Sequence, residues 1–249
     1  MKEKPMEGMP LAYYSLIETM AQPGCAICNL LLRDADRFLD FMLYERVNEA
    51  ETQQGVRRRF GFCNKHAWQL LQYRGNALGV AILFRSALGE ALRVIEHTEP
   101  HASQRDLAHL FGFGRDAAGR AMSRLLDAIE PCMVCQTQAE AEARYLHALV
   151  AFVHDAQFHS ALLASDGLCL PHFRMALRDA EDATAERLIQ IQVNKWRALQ
   201  SDLQTFIDKN DYRRMNEPMG TERDSYVRAI RSLCGEEGVF GVDARSPSA

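Results

Sequence analysis

The sequence predicts an all-α fold: two pseudo-repeated helical modules, each closed by a Cys3His metal site, followed by a C-terminal helical extension. Two observations predict it. Apolar residues recur at helical spacing along nearly the whole chain, and no segment is rich in strand signals. The second observation is a four-ligand pattern that occurs twice. Cys25-Ala26-Ile27-Cys28 is followed by Cys63-Asn64-Lys65-His66, and Cys132-Met133-Val134-Cys135 by Cys169-Leu170-Pro171-His172. The gap between the paired elements is 34 residues in the first copy and 33 in the second. Self-similarity of this kind points to a duplicated module of roughly 105 residues.

Residues at i and i+3 return to one side of the chain after a single turn, so both side chains can face one ion. Two such pairs supply three thiolates and an imidazole, a closed tetrahedral set for zinc. The expected ligands are Cys25, Cys28, Cys63, His66, Cys132, Cys135, Cys169 and His172, for two zinc ions. An iron–sulfur cluster is the alternative, because three cysteines and a histidine can also hold one. The short connections favour closing each site within its own module. A site held between copies, the CxxC of one with the CxxH of the other, uses the same residues. Cys234 alone among the seven cysteines stands outside the scheme.

The elements follow in order. Residues 11–21 form a short helix ended by Gln22-Pro23-Gly24. A helix runs from the first CxxC to about Asn48, with Leu31, Ala35, Phe38 and Met42 on its apolar stripe. Glu49 to Arg59 is a polar segment that returns the chain toward the CxxH, a distance it covers if largely extended. Both halves of each site sit at helix starts, where free backbone N–H groups and the positive dipole end favour thiolate. A helix from the first CxxH breaks at Arg74-Gly75-Asn76, and a longer one covers about 77–96. Thr98 to Ser103 is the linker, followed by short helices at roughly 104–111 and 115–130. The second module brings helices from Pro131 to about Val153 and over 155–164. Asp166-Gly167 then turns the chain into the second CxxH. Asp182 to Asn210 is the longest helix, with Ile189, Val193, Trp196, Leu199, Leu203 and Phe206 on a core-facing stripe. A last helix covers about 221–234. The domain plan is an N-terminal arm (1–23), a first module (24–100), connecting helices (101–130) and a second module (131–180). A long helix with a C-terminal cap (181–235) and a flexible tail (236–249) complete it.

Composition narrows the function classes. With 249 residues and 47% hydrophobic content, a sizeable core is available. A formal net charge of −4 gives no support for electrostatic nucleic-acid binding. No apolar run approaches the ~20 residues of a membrane span. The N-terminus lacks the apolar core of a signal peptide, which places the chain in the cytoplasm, where thiols stay reduced. No phosphate-loop, HExxH or GxSxG pattern is present, and the reading leans away from an enzyme. Arg57-Arg58-Arg59 reads as a solvated loop face. His97, His101, His109, His147, His154 and His159 read as non-ligands. Asp211, Tyr212, Arg213 and Glu217 form a polar cluster after the long helix, either a cap or a ligand or partner site.

The paired CxxC and G-[FL]-C-x-x-H elements occur with a late segment, Asp211-Tyr212-Arg213, Glu217-Pro218-Met219-Gly220, Glu222 and Asp224-Ser225. Together they resemble a family of uncharacterised prokaryotic proteins with duplicated CxxC…CxxH metal-binding modules. The resemblance covers about residues 24–235. It implies a mostly helical metal-binding protein, brings no established activity with it, and raises the weight of Asp211, Tyr212, Arg213 and Glu217. The functional expectation is a structural zinc protein serving as an interaction or adaptor module for a protein partner not yet identified. The alternatives are an iron–sulfur or thiol-based redox or metal-responsive protein, and an enzyme using the C-terminal polar site.

Overall fold

The computed structural model describes residues 10–73, 75–97, 117–127, 130–214 and 216–240. Among them there are helices and no strands. The predicted linker at 98–103, the helix at 104–111, His101 and His109, and the end of the tail lie outside the described residues.

The helices are α1 (Leu11–Met20), α2 (Ala26–Phe41), α3 (Ala50–Arg58), α4 (Asn64–Gln69), α5 (Ala77–His97), α6 (Ala117–Leu125), α7 (Met133–Phe152), α8 (Ala156–Ala164), α9 (Leu170–Asp179), α10 (Asp182–Lys209) and α11 (Ser225–Cys234). A π-helical turn, Met42–Arg46, extends α2. The chain divides into two compact units, residues 1–34 with 139–249, and residues 35–138.

The first unit is built around Leu16, Ile27, Leu30, Leu149, Phe158 and Leu162, all fully buried. Tyr13 fixes α1 to α8. Its ring lies edge-on to Phe152, and its hydroxyl donates to Asp155 Oδ1 at 2.7 Å. Asp155 also caps α8 by accepting from the Phe158 N–H, so one carboxylate serves both contacts. The second unit packs Leu39, Met42, Val56, Leu70 and Leu83 into its own core, with α3 lying along α5.

Two expectations change. The segment 49–59 is not extended, because α3 occupies most of it. The stripe on α10 is only half-buried, and Ile189 is exposed. The buried line of that helix runs through Thr184, Leu188, Ile191 and Gln192.

Candidate metal centres

Each CxxC or CxxH element enters a helix in the same way. The first cysteine is the last non-helical residue, and its carbonyl already accepts a helical hydrogen bond. Asn29 N–H donates to Cys25 O at 3.0 Å, Ala67 to Cys63 at 2.9 Å, Gln136 to Cys132 at 2.9 Å, and Phe173 to Cys169 at 2.8 Å. The second ligand residue is the third residue of the helix. Cap and third positions face each other in a helix start, which is why a capping box works at this spacing. Gly61 and Gly167, two residues before Cys63 and Cys169, have φ of +114° and +83°, the left-handed turn that aims each cysteine into its helix.

The eight residues gather as two groups of four, in each of which all ligand atoms lie within 4.8 Å of one another. Their partnership is crossed. Cys25 and Cys28 meet Cys169 and His172, whereas Cys63 and His66 meet Cys132 and Cys135. This corrects the expectation of sites closed within each module. The expectation needed an extended return segment. Helix α2 and its π-turn advance on the order of 30 Å at 1.5 Å per residue. The nine residues of α3 recover little of that distance, since a helix rises less than half as far per residue as a strand. With a helical return, each CxxH meets the CxxC of the other copy. The return between α7 and the second CxxH is likewise helical, in α8.

Distances fit a tetrahedral ion. Zinc–sulfur bonds of about 2.3 Å and zinc–nitrogen bonds of about 2.0–2.1 Å imply edges of roughly 3.8 Å for S···S and 3.5 Å for S···N. In the first group Cys28 Sγ lies 3.6 Å from Cys169 Sγ. His172 Nδ1 lies 3.4, 3.4 and 3.2 Å from the sulfurs of Cys25, Cys28 and Cys169. In the second, Cys63 Sγ lies 3.6 Å from Cys135 Sγ. His66 Nδ1 lies 3.2, 3.7 and 3.4 Å from the sulfurs of Cys63, Cys132 and Cys135.

The electrostatics also fit a cation. Three thiols this close cannot all ionise unaided. Hydrogen bonds from Cys135 and Cys63 hold Cys132 down to about 2. Burial opposes ionisation of Cys25, yet hydrogen bonds from Cys169, Cys28 and His172 outweigh it and hold that thiol well below its usual range. One thiol in each group is pushed far up instead, Cys28 by Cys169 and Cys25, and Cys135 by Cys132 and Cys63. Burial disfavours a charged His172, but Cys169, Cys25 and Glu142 raise it to about 11, so the site favours positive charge. A divalent cation at the centre of each group relieves this conflict.

The surroundings of the two groups differ. All four ligands of the first are buried. His172 Nε2 pairs with Glu142 Oε1 at 2.9 Å, the outer carboxylate that orients a ligand imidazole. The Phe240 ring packs on His172 with centroids 5.0 Å apart. Gly24 N–H donates to Asp166 Oδ2 at 2.7 Å, joining the two ligand-bearing loops. Gly24 has φ of +90°, where any other residue is strained, and a Cβ there would also displace the Glu236 carboxylate. In the second group Cys63 and Cys135 are half-exposed. Among the described residues, His66 Nε2 is buried without a partner. The loops are joined by Arg58 and Arg59, which donate to the carboxylate and carbonyl of Glu130, each at 2.7 Å. Arg57 donates to Ser86 at 3.2 Å. Arg58 stays exposed, as a solvated face requires, while Arg59 and Arg57 are half-buried and make structural contacts. Burial lowers the Lys65 pKa while the thiols of Cys135, Cys63 and Cys132 oppose it.

Asp211, Tyr212, Arg213 and Glu217 do not converge on a cavity. They are exposed and bond locally: Asp211 accepts from Arg213 N–H, Arg213 stacks over Tyr212 with 5.2 Å to the ring centre, and Glu217 chelates Arg214. The buried anchor of this segment is Glu222, a residue of the quoted motif that had no assigned role. It accepts from Lys209 Nζ at 2.6 Å and from Gly220 N–H at 2.8 Å, fastening the end of α10. Glu142 and Phe240 also escaped the sequence reading. Nothing in spacing separates Glu142 from Glu140, and Phe240 fell in the presumed flexible tail. Among the other histidines, His154 pairs with Thr184 at 3.0 Å. A cavity of about 210 Å³ opens beside Cys25 and Cys169, lined also by Trp196, Lys195, Arg228 and Arg231.

The chain belongs to a family of unknown function, DUF6062, whose profile matches residues 11–238. It is 26% identical over 203 residues to a protein of Caldicellulosiruptor sp. (strain Rt8B.4) described as an uncharacterised 23.9 kDa protein in the xynA 3′ region. That match covers 81% of this chain and 89% of the relative. No solved structure matches. Among the described residues, no helix is long and apolar enough to cross a membrane.

Proposed function

We propose that the protein binds two zinc ions as structural elements and serves as an interaction or adaptor module. The observation that carries this is the chemistry of the two groups. Each offers three cysteine sulfurs and one imidazole nitrogen, all four needed to complete a tetrahedron. A complete protein shell leaves no position for substrate or water, which favours a structural over a hydrolytic role. Cys25, Cys28, Cys169 and His172 would hold one ion, and Cys63, His66, Cys132 and Cys135 the other. Each ion would pin two helix starts that are distant in sequence. Duplication of an ancestral CxxC…CxxH unit accounts for the shared spacing. Thiolate ligands call for a reducing compartment, which supports a cytoplasmic location.

The adaptor half rests on exposed apolar residues at helical spacing, Leu88, Leu92 and Ile95 on α5, and on the exposed 211–217 segment as a partner contact. The redox or metal-responsive alternative is favoured by one observation, the half-exposure of Cys63 and Cys135. Elemental analysis with an absorption spectrum of anaerobically purified protein tests the metal. Two zinc ions and no visible absorbance support the reading. Iron with broad visible absorbance sinks it in favour of a cluster.

A further inference from the structure

We infer that the second site is a peroxide-reactive, metal-releasing centre: Cys63 and Cys135 are oxidised to a disulfide and their ion departs, while the first site keeps its ion. This rests on the reading that both sites hold zinc.

The two sites form a controlled comparison. Each contains one CxxH cysteine and one CxxC cysteine with sulfurs 3.6 Å apart, Cys28 with Cys169 and Cys63 with Cys135. A disulfide needs about 2.0 Å, so in both sites the sulfurs must close by roughly 1.5 Å. Proximity therefore does not separate them, and access does. Cys28 and Cys169 are both fully buried. Phe240 packs over His172 on the same site. Cys63 and Cys135 are half-exposed, so a small oxidant reaches them from water. Oxidation of thiols follows thiolate character and exposure, and zinc keeps its cysteines as thiolates. The hold on the ion differs in the same direction. His172 leans on Glu142, whereas His66 Nε2 has no partner among the described residues. Seven residues beyond Cys135 stands Glu142, and seven beyond Cys28 stands Ala35, which has no carboxylate to offer.

One thiolate attacks a peroxide oxygen, the O–O bond breaks, and a sulfenic acid and hydroxide result. The other thiolate attacks that sulfur, the S–S bond forms, and a second hydroxide leaves. Each hydroxide takes up a proton. Two thiolates, one hydrogen peroxide and two protons yield a disulfide and two waters, with two electrons passing from sulfur to oxygen. The ion is left with Cys132 and His66 and departs.

The test uses the full chain carrying Cys234→Ser, which removes an exposed bystander thiol. Zinc is counted, hydrogen peroxide is added with a chromogenic zinc chelator, and cysteines are mapped by alkylation and peptide mass. The expected result is one equivalent of zinc released about tenfold faster than the other, with a Cys63–Cys135 disulfide and intact Cys25, Cys28 and Cys169. Release of both equivalents together, or a disulfide in the first site, overturns the inference. Fewer than two zinc ions at the outset overturns the two-zinc reading alone. The mapping still decides reactivity, since preferential oxidation of Cys63 and Cys135 supports it and equal oxidation of both groups refutes it.

Discussion

In the first site all four ligands are buried, an outer carboxylate holds the histidine, and an aromatic ring lies over it. In the second, two of the three cysteines are half-exposed and the histidine has no outer partner among the described residues. The ligand types and their helix-start geometry are the same, so the difference lies wholly in what surrounds them. Ligand spacing specifies that an ion can bind. Burial and the outer contacts specify how firmly it stays.

The largest expected effect comes from deleting a ligand. Cys28→Ser should lose one zinc and lower the melting temperature by on the order of 10 °C or more, because an ion there would tie the core of the larger unit. Cys135→Ser should also lose one zinc, with a smaller fall. Circular dichroism melting with zinc analysis checks both, and equal falls would break the asymmetry.

Next is Glu142→Ala. Losing the carboxylate on His172 should weaken the first site by about 10- to 100-fold, or roughly 1.4–2.7 kcal/mol, and leave the second unchanged. Competition with a zinc chelator measures this. Phe240→Ala should act in the same direction but less, raising the first site's release rate several-fold by opening the way to His172. An unchanged rate would mean that the ring does not shield the site.

The smallest effect concerns acid. The Gly220 N–H and then Lys209 hold the Glu222 carboxyl down to about 2. Its folded pKa lies below the ordinary value of about 4.3, so its contribution is present above pH ~4.3. That contribution fades as pH falls through about 2. Glu222→Gln should flatten that acid limb of the stability profile and leave zinc release from the second site untouched. A change in zinc release would link the tail to the second site and blur the comparison.

Much of this was legible in the sequence. The helix starts at Cys25, Cys63, Cys132 and Cys169 follow from motif and periodicity, as do α1, α5 and α10 within a residue or two. The pairing of the motifs was not legible, because it turns on whether residues 49–59 run extended or helical. Their composition is polar either way, and it is the grouping of the ligand atoms that decides the pairing. Glu142 and Phe240 were hidden for another reason. Each acts through a contact with His172 from a residue 30 or more positions away, and local pattern carries no trace of it. Arg58 and Arg59 look like any solvated basic run until Glu130 is seen beside them.

The crossed pairing is tested most directly by counting zinc in two double variants, Cys28→Ser/Cys169→Ser and Cys28→Ser/Cys63→Ser. With crossed sites, the first pair damages one site and retains one zinc per chain, and the second damages both and retains none. The opposite outcome, none for Cys28→Ser/Cys169→Ser and one for Cys28→Ser/Cys63→Ser, would show sites closed within each module and contradict the account.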